Sequence, residues 1–107
     1  MNKSTILKNY KSSIKKWKKC LKYIQEKRVI DYHERFMGDC GFCRVHQNED
    51  MIPICCDCPL IDGMGRCSDL FFSTVDFADD EKWGKAKDSC ERFIKKMEKE
   101  LIKIEKS

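Results

Sequence analysis

The chain has 107 residues, 41% of them hydrophobic and 37% charged, which fits one domain spanning residues 1–107 with a lean core. No apolar run approaches the ~20 residues that cross a bilayer, and the opening MNKSTILKNYKSS lacks the apolar stretch of a signal peptide, so a cytoplasmic protein with no membrane partner is expected. The net charge of +4 conceals a segregation: residues 1–28 carry +9, residues 29–80 carry −8 without a single lysine, and residues 81–107 carry +3. Such blocks speak about partners and not about fold.

Leu7, Tyr10, Ile14, Trp17, Leu21 and Ile24 follow one another at helical spacing, which puts them on one stripe and the lysines on the other faces. The pattern predicts a basic helix over about 4–30, capped by Ser4 or Thr5 and running on towards Phe36, with Gly38 as its stop. Lys11, Lys15, Lys18 and Lys22 of this helix are candidate phosphate contacts.

A cysteine-rich loop over 38–68 follows, with six of the eight cysteines. In a reducing compartment such a cluster points to metal or catalysis before disulfides. Cys40 and Cys43 form one C-x2-C turn and Cys55 and Cys58 a second, and two such turns can converge four thiolates on one tetrahedral ion. Cys67 is a fifth candidate, able to replace Cys55 or Cys43. Structural zinc is the first expectation and an iron–sulfur cluster, also held by four thiolates, the alternative. A thioredoxin-like redox site would need a strand before CGFC, where a lysine-rich helix lies instead. His46 and His33 read as solvated or helical side chains more readily than as ligands. The loop also gathers acids. Glu49, Asp50, Asp57, Asp62 and Asp69 form a candidate acidic face that would fit a basic channel in a protein partner, such as a nucleic-acid enzyme. MIPI (51–54) suits a short strand, and DLFFSTVDF (69–77) suits a strand or a helical turn equally.

Trp83, Ala86, Cys90, Phe93, Met97, Leu101 and Ile104 make a second helical stripe, predicting a helix over about 80–105 with Asp79 or Asp80 as cap. The two stripes need a common partner surface, and each supplies it to the other. The expected fold is therefore mainly α, two long antiparallel helices flanking a metal knuckle with little or no strand. Cys20 and Cys90 fall on or beside the stripes as small buried hydrophobes. Packing of the same stripes between copies would give a homodimer.

The run Cys40-x2-Cys43, Cys55-x2-Cys58-Pro59-Leu60, Gly63/Gly65 and Cys67 resembles a group of small phage and mobile-element proteins. These carry the same cysteine pattern between a tryptophan-bearing helix and a leucine-ending one, here Trp17 and the 91–101 stretch. The resemblance implies a phage-type accessory protein that acts in the host cytoplasm by blocking a host defence. No Ser-His-Asp spacing, phosphate-binding glycine loop or HExxH motif is present, so no catalysis is expected. The expectation is a zinc-stabilised interaction protein using its acidic loop on a protein partner. Nucleic-acid binding through the lysine-rich helix is the alternative.

Overall fold

The computed structural model describes residues 2–36, Phe42, Val45 and residues 69–107. Four helices make up most of this: α1 (Lys3–Gln25), α2 (Tyr32–Phe36), α3 (Asp69–Asp79) and α4 (Trp83–Glu105). No strand occurs among the described residues, and the mainly α expectation holds. DLFFSTVDF is helical as part of α3, in which Phe71, Thr74, Val75 and Ala78 are buried at helical spacing. MIPI lies outside the described residues.

The long helices run antiparallel. Lys3 Nζ at the start of α1 donates to the Glu105 and Ser107 carbonyls at 3.2 and 2.9 Å, Lys18 meets Glu98 at 3.4 Å, and Cys90 Sγ donates to the Trp17 carbonyl at 3.4 Å. Their stripes close on one core with Trp17 at its centre, fully buried, edge-on to Phe71 and Phe93 at 5.4 and 5.2 Å. The Trp17 Nε1 has no hydrogen-bond partner among the described residues. Leaving it unpaired costs ~1–3 kcal/mol, less than the ~4–6 kcal/mol from burying an indole of that area. Cys20 and Cys90 are free thiols buried in this core, as expected. They face each other across the helix pair, and the hydrogen bond that the Cys20 thiol makes to Cys90, ahead of burial, pushes that thiol far up from its ordinary range. The apolar stripes are thus covered within one chain.

Helix boundaries depart from the sequence expectation at three places. Asn2, and not Ser4 or Thr5, caps α1, its Oδ1 accepting the Thr5 N–H at 2.8 Å. At the other end α1 stops at Gln25, because Lys27 turns left-handed (φ 54°). The Lys27 N–H then donates to the Ile24 carbonyl at 2.9 Å and the Arg28 N–H to that of Tyr23 at 3.0 Å, which is a Schellman terminator. Glu81 (φ 56°) ends α3 the same way, with Lys82 N–H reaching Phe77 O at 2.8 Å. Neither position is the glycine that would have announced the turn. Finally, α4 starts at Trp83 with no side-chain cap, since Asp79 is engaged elsewhere.

Asp79 instead caps α2. Its two oxygens accept the backbone N–H groups of Tyr32 and His33 at 2.7 and 3.3 Å, across 47 and 46 residues of sequence. The His33 ring lies between two carboxylates, Nδ1 against Asp79 and Nε2 against Asp76 at 2.7 Å. These contacts tie α2 to the end of α3. The hydrogen bond to Asp79, helped by the charges of Asp79 and Asp76, raises the His33 pKa above its ordinary 6.5 against the opposing effect of burial. A raised folded-state pKa stabilises most below the unfolded value and is lost as pH climbs through the folded one. Thermal denaturation should therefore show stability falling as pH rises above about 6.5, with His33→Gln less stable at pH 6 and flat across that window.

Candidate nucleic-acid interface

Within α1 the sequence offers eight lysines and no acid. Burying the stripe from Tyr10 to Ile24 forces the charged side chains to the opposite side. Lys8, Lys11, Lys15, Lys19 and Lys22 are all exposed there, three or four residues apart, with Lys18 exposed beside them. The row from Lys8 to Lys22 rises ~21 Å at 1.5 Å per residue, about six 3.4 Å base steps of one strand.

The row is hardly neutralised. Among the described residues no ion pair involves Lys8, Lys11, Lys15 or Lys22, and only Lys18 meets a carboxylate, Glu98 at 3.4 Å with both side chains largely in solvent. The contrast with α4 is sharp in kind. That helix is also lysine-rich but has acids interleaved among its cations, and two of the cations are paired within it, Arg92 with Asp88 at 3.2 Å and Lys103 with Glu100 at 3.1 Å. In α1 the neighbours Lys11 and Lys15, Lys15 and Lys19, and Lys18 and Lys22 are like charges one turn apart. Each such pair destabilises a helix by ~0.2–0.5 kcal/mol, or about 1 kcal/mol for the three.

Aromatic residues interleaved with the lysines do not form a stacking platform. Tyr10 and Trp17 are buried, Tyr10 stacked on Phe42 with centroids 3.8 Å apart. Tyr23 alone reaches the surface, and cations surround it: Arg28, Arg35 and Lys19 lie 4.5, 5.2 and 5.9 Å from its ring. Burial alone would raise the Tyr23 pKa, but Arg35, Lys19 and Arg28 together bring it below the ordinary value.

Of the sequence-predicted phosphate contacts, Lys11, Lys15 and Lys22 share this row and Lys18 sits at its seam with α4. Lys8 and Lys19 belong to the row and were missed, although their spacing was readable. Arg28 and Arg35 were missed because a helix terminator and a second helix bring them together. The predicted metal ligands Cys40, Cys43, Cys55, Cys58 and Cys67 lie outside the described residues, as do His46 and the acidic-face residues Glu49, Asp50, Asp57 and Asp62. Asp69 is exposed in the first turn of α3, where an acid suits the helix dipole. Asp31, His33 and Asp79 place three ligand-type atoms within 4.8 Å of one another. Hydrogen bonds already occupy them: Asp31 accepts the Glu34 N–H at 3.0 Å, and Asp79 holds the start of α2. No described helix is long and apolar enough to cross a membrane.

Comparison with protein-family models, curated proteins and solved structures finds no match. The row must therefore be judged by its own physics. If it is a functional surface and not a fold requirement, replacing Lys11, Lys15 and Lys22 together by glutamine should leave the melting temperature unchanged or raised, by up to about 1 kcal/mol of stability. A clear drop in calorimetry would show that these lysines hold the fold.

Proposed function

We propose that this protein is a non-enzymatic binding protein whose lysine row on α1 docks the phosphate backbone of a nucleic acid. The observation that carries the reading is an exposed row of like charges about one turn apart on a helix without an acid, largely unneutralised, while the neighbouring helix interleaves acids with its cations and pairs two of them. Solubility alone would be served by mixed signs, without the repulsion. The recognition is of backbone and not of bases: lysines act as point charges, whereas base edges are read by arginine, asparagine and glutamine. With Tyr10 and Trp17 in the core, single-strand stacking has no platform, so a duplex is the better partner.

This reverses the order expected from the sequence, in which the acidic loop and a protein partner came first. The acidic segment supports that partner through composition alone, whereas the lysine row has a geometry. A phage-type accessory protein, which the cysteine pattern resembles, would act in this reading by covering nucleic acid that a host factor needs.

Five lysines, Lys8, Lys11, Lys15, Lys19 and Lys22, each meeting a phosphate would give a log–log salt slope of roughly −4 to −5 for duplex DNA. Fluorescence anisotropy across a salt series checks this. Lys11→Glu with Lys15→Glu and Lys22→Glu should abolish binding to every sequence alike. Absence of duplex DNA and RNA binding at low salt would return the reading to a protein partner.

Zinc held by Cys40, Cys43 and Cys58 with Cys55 or Cys67 is the cofactor we propose alongside. Metal analysis should find about one zinc per chain, and a chelator should cost helical circular dichroism, since such sites contribute ~10–16 kcal/mol in small modules. Serine at Cys55 and at Cys67 in separate variants identifies the fourth ligand. Metal-free protein of unchanged stability would refute the site.

A further inference from the structure

The arginines of the described residues are not spread like the lysines. Arg92 is spent on Asp88, while Arg28 and Arg35 converge on one tyrosine. Their positions follow from the fold. Arg28 is the residue after the left-handed Lys27, so the α1 terminator fixes its backbone over Tyr23: its N–H donates to the Tyr23 carbonyl at 3.0 Å. The buried Tyr32 hydroxyl donates to the Arg28 carbonyl at 2.9 Å and holds it from the other side. The Arg28 guanidinium lies 4.5 Å from the Tyr23 ring centre, in the place where such terminators commonly make an apolar contact. Arg35 comes from α2, which Asp79 anchors, and its Nη2 donates to the Tyr23 hydroxyl at 3.2 Å. Lys19, one turn before Tyr23 on the lysine row, completes the group.

The geometry points to Tyr23, Arg28 and Arg35, with Lys19, as a preformed clamp for a phosphate monoester, the terminal phosphate of a nucleic acid lying along the lysine row. This rests on the nucleic-acid reading and sharpens it from backbone to strand end. Charge selects the monoester. Three cations converge on Tyr23; Glu26 Oε1 is 3.9 Å from Arg28 Nε and Asp31 and Glu34 lie beside Arg35, but among the described residues Arg35 and Lys19 are in no ion pair. The balance suits a group carrying about −1.5 to −2 at pH 7 better than a diester carrying one charge. Chemistry selects phosphate, because guanidinium forks match its oxygens in pairs and ring stacking keeps them oriented while ends stay in water. Asp31 and Glu34 line the shallow depression beside Arg35 and bound the site on that side, which disfavours longer anionic groups there.

The test is anisotropy with one internally labelled duplex carrying either a 5′-phosphate or a 5′-hydroxyl end. The wild-type chain should bind the phosphorylated end about tenfold tighter, the effect of one or two charge-assisted hydrogen bonds. Arg35→Gln should erase the preference and Tyr23→Phe reduce it, both at unchanged melting temperature. Lys11→Gln with Lys15→Gln should weaken both ends equally and keep the preference. Equal binding of the two ends by the wild-type chain, with the salt slope intact, overturns the clamp and spares the lysine row. Phosphorus NMR with inorganic phosphate separates the remaining cases. Line broadening that Arg35→Gln removes, without any duplex binding, sinks the lysine-row reading and keeps the phosphate site. Neither signal sinks both.

Discussion

Everything described here depends on the burial of two apolar stripes against each other around Trp17. The α1 and α4 helices have little else to hold them: the Lys18–Glu98 pair between them is solvent-exposed, and exposed ion pairs contribute little, while the Cys90 bond to the Trp17 carbonyl lies inside the same core. Because the stripe of α1 is committed to the core, its remaining faces have no choice of direction. Hydrophobic burial therefore does two jobs: it holds the helices antiparallel, and it sets the lysines outward in a row.

Two chain reversals make the rest. The left-handed residues Lys27 and Glu81 end α1 and α3 abruptly, and each reversal helps to place a side chain of the cation cluster on Tyr23. The first lays Arg28 on Tyr23. The second follows Asp79, whose carboxylate reaches back to the start of α2 and so positions Arg35. A left-handed residue other than glycine costs ~1–2 kcal/mol. Here that cost accompanies an arrangement of cations that a straight helix could not produce.

Legibility from sequence followed the range of the interactions. Helical period revealed α1 and α4, their antiparallel packing and the burial of Cys20 and Cys90, because a stripe of one helix carries its own record. The segment Asp69–Asp79 was ambiguous because its apolar residues are nearly continuous, and burial of Phe71, Thr74, Val75 and Ala78 resolved it as a helix. The α1 end was misplaced by the absence of glycine at Lys27, and the cap role of Asp79 was assigned to the wrong helix. Lysines on the row were half recognised: Lys11, Lys15 and Lys22 were expected there, Lys8 and Lys19 were overlooked.

By itself, the sequence determined the helical class, the two amphipathic stripes, the segregated charge and a cysteine spacing suited to a four-thiolate ion. Each of these is local, written in residues a few positions apart. Only the tertiary structure decided that Asp79 caps a helix 47 residues before it, that Tyr32 holds the Arg28 carbonyl, and that Tyr23 gathers cations from two helices. Those contacts depend on where the chain reverses and which helix ends meet. No local period encodes that, because it is settled only when the core around Trp17 closes.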